Sequence, residues 1–422
     1  MPRTPHSKRE WDGPRIPWLL EYLAPNANGK ALICSARQDT GTSDETGHLA
    51  DVDISVVQDT PGVSIPASEP QPEKFSVCVV GAGAIGCHIA YTLHKAGMNV
   101  TLVARGENLR MLQTVGLHIT ICGEEIGPVH IPATDSPETL GHVDYVFLTM
   151  KVSGYDCDIA KKITPLIGPS TTILPPTTSI PYWWFHKFHG PLSGKRLERV
   201  DPDGNLWSAL PPDQVIGFTM WLSAVQVGPG RTMLRHVQRG YPVGELDGSN
   251  SARVERLAAA LEKGGVPAPR VSNIRSEIFI KSINSLAFNI VAVLGDAING
   301  VIAEVPEAVE TLRKVMDECE VMATKMDIPI LQHADDRIKQ TLSAHMHTMS
   351  MLHDLRSGKP LELRALWESI CNLAEVLTVD LPITRALVGC ALLREKAERV
   401  RLENHAAAKE RSMLAEKSGL VD

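Results

Sequence analysis

A valine-rich segment, residues 75–80, runs directly into Gly81-Ala82-Gly83-Ala84-Ile85-Gly86, and a segment with helical spacing follows. A G-x-G-x-x-G pattern between a strand and a helix is typical of the first turn of a dinucleotide-binding domain. Gly81 permits the tight turn, Gly83 leaves room for a pyrophosphate, and Gly86 lets the helix pack closely on the strand. The pyrophosphate is expected at the helix N-terminus, where free N–H groups and the helix dipole favour an anion. A glycine-rich turn without function is the weaker alternative in this context.

The residue after the second predicted strand selects the cofactor. That strand, residues 99–104, is followed by Arg105, and no acid stands where NAD-dependent domains hold the ribose 2′-hydroxyl. A guanidinium at that position can pair with a 2′-phosphate through two hydrogen bonds. We therefore predict NADP(H) rather than NAD(H), with a surface arginine as the alternative. Glu107, two residues further on, could weaken the preference.

The apolar pattern changes twice along the chain. Residues 38–73 are rich in Asp, Thr, Ser, Pro and Gly, and such a segment buries too little surface to offset its ordering entropy. Strand-like and helix-like segments then alternate to about residue 271, which indicates a mostly parallel sheet covered on both faces. Long helical patterns follow. We predict a disordered extension over 1–74 with a short helix at 17–22, and an α/β domain of the doubly wound Rossmann type over 75–271. An all-α domain over 272–408 and a tail over 409–422 are predicted to follow.

Individual elements can be placed from the same periodicities. The predicted strands cover residues 75–80, 99–104, 117–122, 126–131, 144–150, 171–174, 215–225 and 232–237, with a hairpin around Gly123. The predicted helices cover residues 86–96, 273–294, 305–326, 334–355 and 361–379, and a last helix runs from Pro382 to about residue 406.

Composition excludes several classes of protein. The net charge is −7 and aromatic residues make up 5%, which disfavours binding to nucleic acids and to anionic membranes. The sequence contains no run of about 18 apolar residues, so we expect no membrane-spanning helix. The eight cysteines are scattered without a C-x-x-C pair, as in proteins of a reducing compartment. We expect a cytoplasmic protein. The mitochondrion is the alternative, because basic residues stand near the N-terminus, although Glu10 and Asp12 interrupt them.

Four further blocks follow the fingerprint. The first is Val146-Phe147-Leu148-Thr149-Met150-Lys151, in which Lys151 directly follows the predicted strand at 144–150. A helical block, Lys281-Ser282-Ile283-Asn284-Ser285-Leu286-Ala287-Phe288-Asn289, precedes Asn299-Gly300, and the last block joins Ser350-Met351-Leu352-His353-Asp354 to Lys359-Pro360-Leu361-Glu362-Leu363. In their order and spacing, these blocks resemble the ketopantoate reductase (2-dehydropantoate 2-reductase) family over about residues 75–406.

This resemblance implies an activity and a set of roles. The implied reaction is NADPH-dependent reduction of 2-dehydropantoate to (R)-pantoate in pantothenate biosynthesis. The helical domain over 272–408 is then expected to contact the substrate, and it is also the expected place for a homodimer contact, although the sequence does not give the oligomeric state. Lys281 matches the general acid and Glu362 the acid beside the nicotinamide, while Lys151 matches a lysine near cofactor and substrate. The groups that match substrate-binding positions are Asn289, Asn299 and Ser350.

Two positions depart from the family pattern. Thr178 stands where the family has an asparagine at the cofactor site. In the helical block 281–289, called here the lysine helix, Ser285 stands where the family has its first asparagine. Asn284 lies one residue earlier and could supply the missing side-chain amide. These departures keep two alternatives open: a reductase of the same fold for another 2-oxo acid or a secondary-metabolite carbonyl, and a non-catalytic NADP(H)-binding protein.

The residue chemistry fits a carbonyl reduction. An ammonium can stabilise the growing charge on a carbonyl oxygen and deliver its proton. The apolar neighbours of Lys281 predict a lowered pKa, and a lysine with a solvated tip is the alternative. For Lys151 the alternative is a surface charge at a strand end. The histidine pairs at 345/347 and 186/189 lack cysteine or carboxylate companions at ligand spacing, so we predict no metal site.

Overall fold

The computed structural model describes residues 23–25, 31–33, 73–151, 157–175 and 178–417. The chain divides into two compact units, residues 1–71 and residues 72–422. In the first unit the described residues form one antiparallel strand pair, in which Leu23 lies opposite Ile33. The sequence did not predict this pair. The predicted helix at 17–22 and most of the predicted disordered extension lie outside the described residues.

The described residues contain thirteen strands. They are β1 (Leu23–Pro25), β2 (Ala31–Ile33), β3 (Ser76–Val80), β4 (Asn99–Val103), β5 (Leu117–Ile121), β6 (Glu124–Val129), β7 (Ala133–Thr134), β8 (Tyr145–Leu148), β9 (Thr172–Leu174), β10 (Gly217–Phe218), β11 (Trp221–Gly228), β12 (Arg231–Gly240) and β13 (Val243–Gly244). The helices are α1 (Ala84–Lys95), α2 (Gly106–Thr114), α3 (Cys157–Ile163), α4 (Asn205–Ala209), α5 (Ala252–Lys263), α6 (Ile274–Gly295), α7 (Asn299–Ala303), α8 (Pro306–Lys325), α9 (Ala334–Leu342), α10 (Ser350–Arg356), α11 (Leu363–Leu377) and α12 (Pro382–Lys417).

A five-stranded parallel sheet organises the first half of the larger unit. Its strand order is β7-β4-β3-β8-β9, with the fingerprint strand β3 at the centre. Strands β3 and β8 are almost entirely buried, because helices cover both faces of such a sheet and select continuous apolar runs. The carboxyl ends of β3, β4, β8 and β9 therefore lie along one edge, where ligands bind in folds of this type.

The larger unit also contains a second sheet, of four strands, which the sequence analysis did not distinguish from the first. Its order is β11-β12-β5-β6, and only the β12–β5 pair is parallel. The predicted hairpin around Gly123 is confirmed as β5–β6. Strands β11 and β12 form a long hairpin with register shifts, which lies against α1 and brings Trp221 toward the helical half. The mostly parallel arrangement thus holds for the five-stranded sheet alone.

Helix α6 is the core of the helical half. It packs against α8, α10, α11 and α12, and its buried residues belong to a hydrophobic core that continues into β3 and β8. By length and composition this helix could span a bilayer, but 67% of its most apolar window is buried inside the protein. Its apolar character is therefore explained by the core that it forms.

The helix predicted over 334–355 is wrong, because the structure has two helices there, α9 and α10, separated by a turn. Backbone carbonyls in and before that turn accept hydrogen bonds from α7 instead of continuing a helix. Gly300 N–H donates to His345 O at 2.8 Å, Asn299 N–H donates to His347 O at 3.1 Å, and Asn299 Nδ2 donates to Thr341 O at 2.8 Å. Contacts from a distant segment thus override the local helical pattern.

Candidate active site

The fingerprint turn is closely packed at its first and last glycines and open at the middle one. Gly81 has φ +113°, and a Cβ there would lie 3.0 Å from Met150 N. A Cβ on Gly86 would lie 1.8 Å from the carbonyl oxygen of Gly81. At Gly83, which caps α1, a Cβ would meet nothing within 4 Å. The free space beside Gly83 and the α1 N-terminus fits the pyrophosphate of a dinucleotide.

The turn is held by hydrogen bonds from two neighbouring segments. Thr149, at the end of β8, donates from its hydroxyl to the carbonyl oxygen of Gly81 at 2.8 Å. Asn108 donates from Nδ2 to Ala82 O at 3.3 Å, and its Oδ1 accepts from Gly230 N–H at 3.0 Å and from Gln226 at 2.8 Å. Asn108 thereby connects the turn to the β11–β12 hairpin. Sequence analysis missed it, because a single asparagine inside a helix carries no motif.

Two predicted cofactor-binding residues lie at the carboxyl edge of the sheet. Arg105 follows β4 and is exposed, and its guanidinium has no hydrogen-bond or ion-pair partner among the described residues, so it is available to an anion. Thr178 follows β9, and its hydroxyl is buried without a hydrogen-bond partner in the described part of the chain. A buried hydroxyl normally finds a partner, so Thr178 is suited to contact a bound molecule.

Lys151 bridges the two halves of the larger unit. Its Nζ lies 2.5 Å from Oδ2 of Asp354 in α10, a residue 203 positions later in the chain. The aspartate side chain is 11% exposed and the lysine side chain 43%, so the pair is accessible to solvent rather than buried in the core. This contact places α10, which begins at Ser350, beside the end of β8.

Lys281 lies half-buried on α6 with its Nζ 5.0 Å from the ring centroid of Trp221. Burial lowers the pKa of Lys281 to about 8. The indole is fixed in turn, because its Nε1 donates to Glu277 Oε2 at 3.0 Å and Arg239 donates to the same carboxylate at 2.8 Å. Sequence analysis missed Glu277, although Glu277 precedes Lys281 by one helical turn.

Asn289 holds α6 and α10 together. Its Nδ2 donates to the carbonyl oxygen of Ser285 at 2.8 Å and lies 3.3 Å from the Ser285 hydroxyl. Its Oδ1 accepts from Met351 N–H, at the start of α10, at 2.9 Å. Ser285 and Asn289 follow Lys281 by four and eight residues, so all three lie along one side of the helix. Ser350, the first residue of α10, is exposed beside them.

Three predicted residues remain, Asn299, Glu362 and Asn284, and each has different surroundings. Asn299 is fully buried, and its Oδ1 has no hydrogen-bond partner among the described residues. Glu362 is half-buried directly before α11. Asn284 is not brought into the site: its Oδ1 accepts from Arg337 at 2.6 Å, and Arg337 also pairs with Glu320. The structure does not support a substrate contact through this oxygen, because Arg337 already occupies it.

The parallel sheet and the open glycine turn fit a dinucleotide cofactor, and Lys281 offers a proton donor for a carbonyl oxygen. These features are those of a pyridine-nucleotide-dependent oxidoreductase acting on a CH–OH or C=O group. The family model "Ketopantoate reductase PanE/ApbA" matches residues 77–176, and its C-terminal counterpart matches residues 273–396. The 2-dehydropantoate 2-reductase of Mesorhizobium japonicum is 35% identical over 328 residues, which cover 76% of this chain and 98% of the relative. The chain belongs to the ketopantoate reductase family.

Solved structures share the fold. A protein from Ralstonia solanacearum assigned to the ketopantoate reductases has 31% identity and a TM-score of 0.71, over 77% of this chain and 99% of its own. The 2-dehydropantoate 2-reductase of Methylococcus capsulatus has 22% identity and a TM-score of 0.61, over 76% and 97%. A D-mandelate dehydrogenase bound to NADH and anilino(oxo)acetate has 19% identity and a TM-score of 0.64, over 76% and 99%.

Proposed function

We propose that this protein reduces 2-dehydropantoate to (R)-pantoate with NADPH, the reductive step that leads to pantothenate. The observation that carries the proposal is the position of Lys281, a half-buried lysine of lowered pKa on the helix that also carries Ser285 and Asn289. The relatives named 2-dehydropantoate 2-reductase support the choice of substrate.

NADPH, when bound, supplies the hydride to the 2-oxo carbon. Lys281 Nζ donates its proton to the carbonyl oxygen, which becomes the hydroxyl of the product. The neutral amine then regains a proton from solvent, to which the half-buried Lys281 retains partial access. Trp221 holds the ammonium over its ring face, and Glu277 fixes the orientation of that ring. Lys151, paired with Asp354, joins the end of β8 to α10.

Cofactor choice depends on Arg105. Its exposed guanidinium at the end of β4 has no partner among the described residues, which favours a 2′-phosphate there. The D-mandelate dehydrogenase neighbour contains NADH, so NADH is the alternative to be tested in the same assay.

A second candidate function is the reduction of a different 2-oxo acid, such as an aromatic one. Thr178 and Ser285 favour it, because each replaces an amide of the family pattern by a hydroxyl. The D-mandelate dehydrogenase, which shares the fold, supplies a precedent for this architecture bound to an anilino(oxo)acetate. A third candidate is an NADP(H)-binding protein without turnover.

One assay distinguishes these candidates. The oxidation of NADPH and of NADH is followed with 2-dehydropantoate, 2-oxoisovalerate and phenylglyoxylate as substrates. We expect the highest kcat/KM for 2-dehydropantoate with NADPH. A preference for phenylglyoxylate would replace the proposal by the second candidate. NADPH binding without turnover of any substrate would support the third.

A further inference from the structure

A cavity of about 590 Å³ lies apart from the glycine turn and from Lys281. It is bounded by the loop after β9, by the segment that contains Arg199, and by helices α11 and α12. Its size falls within the range of roughly 300–1,000 Å³ that is typical of small-molecule sites. Neither Lys151 nor Lys281 lines it, so it is a separate candidate site.

The inner wall of the cavity is apolar. Ile180, Tyr182, Leu206 and Leu361 line it, and each is at most 6% exposed. These side chains belong to the continuous core or pack in its wall, so the surface that they offer is rigid. An apolar wall of this kind favours a ligand with a hydrocarbon or aromatic body.

Cations dominate the polar part of the lining. Four basic side chains face two acidic ones, Glu368 and Glu395; the basic residues are Arg199, Arg364, Lys396 and Arg399. Both acids already have partners: Arg199 donates to Glu368 at 3.1 Å, and Glu395 accepts from Leu361 N–H at 3.1 Å.

The other three cations have no hydrogen-bond or ion-pair partner within the part of the chain that the structure describes. Arg364 projects from α11, while Lys396 and Arg399 project from α12, so separate elements bring like charges to one cavity. All three are exposed to solvent, which screens their mutual repulsion, and together they give the mouth of the cavity a positive charge. An anion held by several cations beside apolar walls is also bound more strongly than at an open surface.

We propose that this cavity binds a small amphipathic anion, a molecule with a carboxylate, sulfonate or phosphate head and an apolar body. The head lies among Arg364, Lys396 and Arg399, and the body lies against Ile180 and Leu361. The cavity lining adjoins Thr178 and Glu362 through Ser179 and Leu361, but none of the residues that carry this proposal is assigned to the dinucleotide or to the proposed reduction. Either assignment can therefore fail without the other.

The proposal can be tested with a matched pair of fluorescent probes on the NADPH-saturated protein. The charged probe is 1-anilinonaphthalene-8-sulfonate, and the uncharged probe is N-phenyl-1-naphthylamine, which has the same aromatic body without the sulfonate. We expect saturable binding of the charged probe and at least about tenfold weaker binding of the uncharged one, since a charge-assisted hydrogen bond contributes about that much.

Two variants address the head and the body of the ligand separately. Lys396→Glu should weaken binding of the charged probe by about tenfold or more and leave the uncharged probe nearly unaffected. Ala365→Phe fills the cavity beside α11 and should weaken both probes. The matched control is Lys339→Glu, the same charge reversal on α9 outside the cavity, which should change the affinity by less than about twofold. The NADPH affinity of each variant shows whether it folds.

Several results would overturn the proposal. Non-saturable binding would do so, as would equal losses in Lys339→Glu and Lys396→Glu, which would indicate general electrostatics. Equal affinities for the two probes would show that the cations do not contribute to binding. Displacement of the charged probe by 2-dehydropantoate, or loss of its binding in Lys281→Ala, would assign the probe to the reductase site instead. If Ala365→Phe does not fold, Lys396→Glu and its control still decide the question.

Discussion

Lys281 is subject to two opposing effects. Burial disfavours the ammonium and lowers the pKa to about 8, while the face of Trp221 at 5.0 Å attracts the cation. The outcome is a lysine that stays mostly protonated at neutral pH but releases its proton more readily than an exposed lysine. This balance suits a general acid, whose pKa should lie near the working pH.

We predict that Lys281→Ala reduces turnover by roughly 10²–10⁴, the usual contribution of a positioned acid. NADPH affinity should be nearly unchanged, because the glycine turn and Arg105 lie in the parallel-sheet half. Lys281→Arg should restore little, since a guanidinium remains charged and is a poor proton donor. The measurement is kcat at saturating NADPH, with cofactor affinity determined separately. Retention of more than about a third of the turnover would contradict the assignment, because the loss would then be far smaller than that of a positioned acid.

The pH profile gives an independent test of the same residue. The proposed mechanism uses protonated Lys281 as the proton donor, so kcat should fall as pH rises through about 8, the pKa of this amine. Removing the ring in Trp221→Leu removes an attraction for the ammonium, so the descending limb should move to lower pH. Trp221→Phe should lie between the two, because phenylalanine offers a weaker ring face. A limb at the same pH in all three proteins would exclude an influence of Trp221 on Lys281.

Arg105 is predicted to select NADPH over NADH. Arg105→Ala should weaken NADPH binding by about 1.5–3 kcal/mol, the contribution of hydrogen bonds to a charged group, and leave NADH nearly unchanged. Titration of both cofactors against both proteins measures the difference. Equal losses for the two cofactors would assign Arg105 to a general role in the site rather than to the 2′-phosphate.

At the scale of elements, the strand–turn–helix at residues 76–95 shows how one motif separates packing from binding. The first and last glycines are required by the protein itself, since Gly81 has a positive φ and a Cβ on Gly86 would clash with the Gly81 carbonyl. The middle glycine, Gly83, has ordinary φ of −79° and open space around its Cβ position. Only a ligand would require a glycine there.

The two glycines give a matched pair of variants. Gly86→Ala should lower both the thermal unfolding midpoint and NADPH affinity, because backbone must shift to admit the Cβ. Gly83→Ala should leave the unfolding midpoint of the cofactor-free protein nearly unchanged while weakening NADPH binding. Thermal unfolding without cofactor, combined with NADPH titration, measures both effects. A large loss of stability in Gly83→Ala would show that this glycine also serves the fold.

Local patterns predicted the elements whose partners are close in sequence. The fingerprint strand, the hairpin around Gly123 and the lysine helix lie where periodicity placed them. The break between α9 and α10 could not be predicted, because carbonyls there bond to α7 across some 45 residues and no glycine or proline marks the turn. The hydrogen-bond partners of Asn284 and Trp221 could not be predicted from the sequence either, because tertiary packing alone brings Arg337 and Glu277 into contact with them.

At the scale of the whole molecule, residues 72–422 contain a complete reductase framework. One hydrophobic core extends from β3 to α12, and the Lys151–Asp354 pair joins the parallel-sheet half to the helical half. The Mesorhizobium relative aligns over 98% of its own length with 76% of this chain, so the family fold needs no counterpart of the remainder. The parts that the fold needs are therefore concentrated in the larger unit.

We predict that a chain beginning at Gln71 folds and binds NADPH as the full chain does. This start keeps Glu73, whose carboxylate lies 3.7 Å from Arg256, and it leaves β3 intact from Ser76 onward. The shortened and full-length proteins should unfold cooperatively at similar temperatures and bind NADPH with the same Kd. Thermal unfolding and NADPH titration of both chains, purified side by side, make the comparison. Aggregation or non-cooperative unfolding of the shortened chain alone would contradict the prediction, and unchanged unfolding with weakened NADPH binding would assign the first 70 residues to the cofactor site rather than to the fold.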